Sequence, residues 1–257
     1  MGATLLGIAA ALLAAGACSS PGGAVPATGG SGGPSGSITV LAAASLTGTF
    51  TVLGHRFEAA HPGSTVTFSF GASSDLAAQI TQAVPADVFA SAAPANMRTV
   101  EQADDATNVR DFVRNTMEIA TPKGNPAHIT SVRDLARSGV KVALCEPQVP
   151  CGAVAREVFT NAHVQVSATT LQPDVKSTLA TVSTGEVDAG VVYVTDVLAA
   201  GNQVNGVRIP RSINADTEYP ITVLKHAANP TLARAFVNYV ESPAGQHVLR
   251  AAGFLSP

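Results

Sequence analysis

Ile38-Thr39-Val40-Leu41-Ala42-Ala43-Ala44-Ser45-Leu46-Thr47 sets the pattern from which the fold of this chain can be read. Ile38 to Leu41 is a β-branched, apolar run of strand character. Leu46, Phe50, Leu53 and Phe57 then recur at spacings of 4, 3 and 4, one face of an amphipathic helix. Between strand and helix lies a turn of small residues with one hydroxyl, Ala43-Ala44-Ser45-Leu46. Three more such turns, each just ahead of a predicted helix, are Gly71-Ala72-Ser73-Ser74, Pro150-Cys151-Gly152 and Pro173-Asp174-Val175. A fifth element, Val191-Val192-Tyr193, ends a strand with a phenol. A helix N-terminus has N–H donors without intrahelical acceptors and a partial positive charge, so it attracts anions. None of the five segments contains Lys or Arg. Together they describe a buried oxyanion held by neutral donors.

Strands and helices alternate along the rest of the chain. Val66, Phe68 and Phe70 alternate with Thr65, Thr67 and Ser69, a half-buried strand, and a helix over 75–83 turns Leu76 and Ile80 inward. Strands follow at 87–90, 141–144, 189–193 and 219–224, and helices at 152–161, 175–182, 231–240 and 244–252. The pattern predicts an α/β fold of mostly parallel sheets with helices on both faces. Two extended segments, 117–122 and 216–221, can pass between lobes. The first lobe is then 38–118 plus 220–257 and the second 119–219, a clamshell with two hinge crossovers. Ligands of such sheets bind beyond the C-terminal ends of the strands, which puts the anion in the cleft.

Composition removes other classes. Apolar residues make up 46%, enough for a large core, whereas charged residues reach only 13% with a net of −3. That leaves no basic stripe for nucleic acid. No Trp and 5% aromatic residues give no stacking platform for bases or sugars. The six histidines, at 55, 61, 128, 163, 226 and 247, show no H-E-x-x-H spacing, so no site for a bare metal cation is expected. Neither G-x-S-x-G nor a P-loop is present, and no enzymatic activity or cofactor is expected. Plainer readings exist for the single residues. Ser45 and Ser73 can be helix caps, and Tyr193 a core aromatic. Asp75 and Asp174 suit the first turn of a helix, or else one of them accepts a hydrogen bond from a protonated anion such as hydrogen phosphate.

Residues 1–17 form a short apolar, Ala-rich segment, and Ala15-Gly16-Ala17-Cys18 resembles a bacterial lipobox. By that reading 1–18 is a lipoprotein signal peptide with Cys18 as the lipidated residue, and the protein is exported and anchored to the outer face of the cell membrane. Residues 19–37, nearly all Ser, Gly, Pro and Ala, read as a flexible tether. The remaining cysteines, Cys145 and Cys151, flank a segment that must turn, and outside the cytoplasm they are expected to pair as a disulfide. The alternative is two buried thiols.

The motifs also carry a family resemblance. Ala42-Ala43-Ala44-Ser45-Leu46-Thr47, Phe70-Gly71-Ala72-Ser73-Ser74-Asp75-Leu76 and Pro85-Ala86-Asp87-Val88-Phe89 resemble the bacterial molybdate-binding proteins of ABC transporters. Val149-Pro150-Cys151-Gly152, Asp174-Val175 and Gly190-Val191-Val192-Tyr193 are similar to that family in order and spacing. The resemblance covers residues 38–257. It implies a two-lobed periplasmic-binding-protein fold of type II that closes on molybdate or tungstate and works, as a monomer, with an ABC permease. It further implies hydroxyl and main-chain donors at Ser45 and Ser73, backbone N–H donors at Cys151 and Val175, and a phenolic donor at Tyr193. Cys151 stands where the family usually has Ala, and Thr47-Gly48 where Thr-Asn is common. Sulfate or phosphate on the same fold is the alternative cargo, and an exported enzyme is the remaining alternative.

Overall fold

A computed structural model describes residues 33–257. The expected signal peptide, the lipidated Cys18 and the tether up to residue 32 lie outside the described residues. The elements run β1 (Gly36–Ala43), α1 (Thr47–Ala60), β2 (Ser64–Gly71), α2 (Ser73–Thr81), β3 (Val88–Ala90), α3 (Pro94–Gln102) and β4 (Arg110–Pro122). They continue with β5 (Val142–Cys145), α4 (Pro150–Asn161), β6 (Thr170–Gln172), α5 (Val175–Ser183), β7 (Ala189–Tyr193), α6 (Val194–Ala200) and β8 (Val204–Arg208). The chain closes with β9 (Asp216–Val223), α7 (Pro230–Glu241) and α8 (Pro243–Ala251). A 3-10 turn, Ala44–Leu46, joins β1 to α1. Among the described residues no helix is long and apolar enough to cross a membrane.

The strands follow the order β2-β1-β3-β9-β4-β7-β5-β6, with β8 also on β4. Pairing departs from the mostly parallel expectation. Among the described residues four pairs are parallel and four antiparallel, and every antiparallel pair contains β4 or β9. These two strands connect the halves of the molecule rather than belonging to a βαβ unit, so no right-handed crossover forces them parallel. Each half is an α/β lobe with its own core. In the first, Leu46, Phe50, Leu53 and Phe57 of the predicted stripe have no exposed surface and pack with Phe112, Tyr219 and Phe236. The second is built from Met117, Ile119, Val142, Val158, Val191 and Val192.

The cores change over between Val113 and Met117 on β4, and between Ala215 and Tyr219 on the return. The expected limits at 118/119 and 219/220 lie just beyond these points. Residues 216–219 ladder with Arg114 to Thr116 and Val113, which ties them to the first half. Asn214 marks the crossing. Its Nδ2 donates to the Met117 carbonyl at 2.8 Å and its Oδ1 accepts the Met117 N–H at 3.2 Å, so one side chain replaces a rung of the ladder. Ala44 and Ala72, carried by the first half, pack into the second core. The halves therefore meet across the C-terminal ends of β1, β2 and β5.

Candidate functional site

Each helix start at this meeting point is left with free donors for a reason legible in the backbone. In α2 the first intrahelical bonds come from Asp75 and Leu76 to the Ala72 carbonyl, leaving the N–H groups of Ser73 and Ser74 without an intrahelical acceptor. In α4, Pro150 occupies the first position and Ala153 bonds back to Val149 at 3.1 Å, so Cys151 and Gly152 are in the same state. In α5, Asp174 is the cap. Its carboxylate takes the Ser177 N–H at 2.9 Å and the Ser177 hydroxyl at 3.2 Å, which leaves the N–H of Val175 ahead of the first bonded turn. Asp174 is thus occupied within its own helix, and exposed Asp75 sits in the first turn of α2. Both follow the helix-dipole reading.

These starts converge. Ser45, Ser73, Cys151, Val175 and Tyr193 all line one small cavity of about 20 Å³, whose other walls are Ala43, Ala44, Gly71, Ala72, Ala92, Val149, Pro150 and Asp174. No Lys or Arg belongs to this lining. Ser73 is 1% exposed and its Oγ accepts the Ala92 N–H at 2.9 Å, so the serine proton remains to be donated. The Ala92 carbonyl in turn accepts from Thr217 Oγ1 at 2.7 Å. Ser45 Oγ lies 2.8 Å from the Tyr219 hydroxyl. The Tyr193 hydroxyl is buried and has no hydrogen-bond partner among the described residues. Burial, helped by nearby Tyr219 and Asp196, pushes its pKa far above the usual phenol range. It stays protonated, a donor at the cavity wall. An orphaned buried donor of this kind is costly unless something accepts from it.

Cys145 and Cys151 are joined by a disulfide. The bond fastens the start of α4 to the end of β5, and Cys145 Sγ also lies 3.3 Å from Thr178 Oγ1 of α5. Gly152 lets the 145–151 loop close tightly, because a Cβ there would fall 2.0 Å from the Glu146 carbonyl oxygen.

Residues 38–255 match the family model for bacterial extracellular solute-binding proteins. The chain belongs to this family. The molybdate-binding protein ModA of Mycobacterium tuberculosis is 42% identical to this solute-binding protein over 222 residues, 86% of this chain and 85% of that one. The structure of the Azotobacter vinelandii periplasmic molybdate-binding protein superposes with a TM-score of 0.77 at 20% identity, covering 86% of this chain and 99% of that chain. The sulfate-binding protein SubI of Mycobacterium tuberculosis gives a TM-score of 0.76 at 20% identity, over 85% and 86%. These two likenesses bear on the fold alone.

In this solute-binding protein Tyr193 is also the cap residue of α6, a helix absent from the sequence reading. Asp196, in the first turn of α6, is fully buried and accepts the Tyr193 N–H at 3.3 Å. Burial raises its pKa, and Lys176 of α5, 3.0 Å away, opposes that shift. Lys176 is thereby engaged by a carboxylate. Sequence reasoning also missed Asn115, Tyr219 and Thr217, which hold the donors from behind. Asn115 stands in a stretch of β4 broken by Arg110, Asp111 and Arg114, so no local pattern singled it out.

Proposed function

We propose that this solute-binding protein captures molybdate, and tungstate with it, in the cavity between its lobes and passes it to an ABC permease. The reading rests on one observation: a cavity at converging helix starts whose lining offers hydrogen-bond donors, including a Tyr193 hydroxyl without a partner among the described residues, with the Asp174 carboxylate turned into its own helix. Ser45, Ser73 and Tyr193 supply O–H groups, and Cys151 and Val175 supply backbone N–H groups. A tetrahedral dianion needs only donors at neutral pH. The name of the 42% identical relative points to molybdate. With no Lys or Arg in the lining, selection against sulfate falls to the spacing of donors fixed on rigid helix starts. The protein binds and releases without turnover, as an exported monomer tethered through lipidated Cys18.

Titration with molybdate, followed by melting temperature and tyrosine emission, tests this directly. Tyr193, Tyr219 and Tyr239 are the tyrosines and there is no Trp, so emission reports on the site. Saturation by molybdate unaffected by excess sulfate or phosphate is expected; a response to sulfate alone would reassign the cargo. Tyr193→Phe is expected to weaken binding by about 1–2 kcal/mol, roughly 5- to 30-fold, for one hydrogen bond to a charged group. Unchanged affinity in that variant would remove Tyr193 from the site.

A further inference from the structure

Behind the cavity runs a chain of four buried polar side chains, each no more than 7% exposed. Asn115 is at its centre, on β4 next to the changeover between cores. Its Oδ1 accepts the Thr116 N–H at 3.0 Å, which settles the orientation of the amide. Nδ2 then donates to Thr195 Oγ1 of α6 at 2.8 Å and to the Tyr219 hydroxyl at 3.4 Å. Tyr219 is 2.8 Å from Ser45 Oγ.

The direction of the last bond follows by elimination. The Tyr219 oxygen already accepts from Asn115, and a phenol has a single proton to place. Among the described residues the acceptor bonded to Tyr219 is Ser45 Oγ, and the Tyr193 hydroxyl makes no hydrogen bond. Were Ser45 to donate to Tyr219, the phenolic proton would be buried without an acceptor. Tyr219 therefore donates to Ser45, and the serine proton is turned toward the cavity. Ser73 reaches the same state through the Ala92 N–H.

We propose that Tyr219, held by Asn115, is a positioning residue that makes Ser45 a donor toward the cavity, so that the site takes oxyanions without a proton and turns away those that carry one. The proposal deepens the oxyanion-binding reading above and rests on it. A protonated anion such as hydrogen phosphate needs an acceptor; each serine oxygen already accepts one hydrogen bond and Asp174 accepts two from Ser177, which weakens what they offer to a further donor.

A double-mutant cycle on the full chain tests it, with molybdate and inorganic phosphate as probes. Tyr219→Phe and Ser45→Ala should each weaken molybdate binding about tenfold, and the double variant should be no weaker than Ser45→Ala alone. The molybdate-to-phosphate affinity ratio should also narrow in Tyr219→Phe, which mere loss of packing would not cause. Asn115→Asp, nearly isosteric, puts an acceptor where the donor stood and draws the Tyr219 proton away from Ser45. It should lose at least as much affinity, which keeps the test open if Tyr219→Phe does not fold. Losses that multiply in the double variant, or wild-type affinity in Tyr219→Phe or Asn115→Asp, would overturn the relay and leave the oxyanion reading intact. A wild-type protein that binds no oxyanion overturns both.

Discussion

Gly152→Ala is expected to damage stability and binding together. The added methyl would lie 2.0 Å from the Glu146 carbonyl oxygen, 2.7 Å from its carbon and 2.8 Å from the Cys145 carbonyl oxygen. All three are backbone atoms, which cannot rotate aside as a side chain can. The 145–151 segment they belong to is closed on itself by the disulfide. Relief must come from displacing the first turn of α4, which carries the Cys151 N–H. Overpacking of this sort costs about 1–3 kcal/mol, a drop of roughly 3–10 °C in Tm for a domain of this size. Calorimetry and molybdate titration on the same sample check both effects. A variant that melts and binds like the wild type would mean the loop is free to shift and plays no part in placing the donor.

Val175→Pro separates donation from folding. Proline removes the N–H, yet it is well tolerated at the first position of a helix, which Val175 occupies in α5. The preceding Asp174 has φ −156° and ψ 174°, an extended conformation compatible with a following proline. The helix should therefore persist while one hydrogen bond to a charged ligand is lost, about 1.5–3 kcal/mol or roughly 10- to 150-fold in affinity. Val175 is also part of the second core, so a small loss of packing is expected alongside. Val175→Ala is the control, since it trims the same packing and keeps the N–H. Equal affinities in the two variants would exclude a backbone donor at this position.

Where one rule acted alone, the structure was legible in the residues. The α1 stripe is buried throughout, and β7 spans Ala189–Tyr193, the bounds expected from the sequence. The convergence of helix starts was legible too, because strand–turn–helix order in an α/β sheet dictates where those turns lie. Elements with weak stripes escaped. α3 buries only Met97 and Val100, and β6 is three residues with none fully buried. α6 opens with Val-Thr-Asp-Val, a sequence of poor helix propensity that tertiary packing overrides. The first half of β4 was missed because Arg110, Asp111, Arg114 and Asn115 break its apolar pattern. The hydrogen bonds of Asn115 and Tyr219 span 80 and 174 positions of sequence and no local pattern announces them.

The lack of Lys and Arg in the cavity lining has a consequence for how ionic strength acts on this protein. Ion pairs across a site lose strength as salt screens them, whereas short hydrogen bonds inside a closed cavity are screened far less. Affinity for the dianion should therefore stay nearly flat as salt is raised. Capture should behave in the opposite way to a lysine- or arginine-lined trap. A protein of net charge −3 repels an approaching dianion at long range, and added salt relaxes that repulsion. Association and dissociation would then quicken together, making exchange of cargo faster in brackish surroundings than in dilute ones at unchanged occupancy.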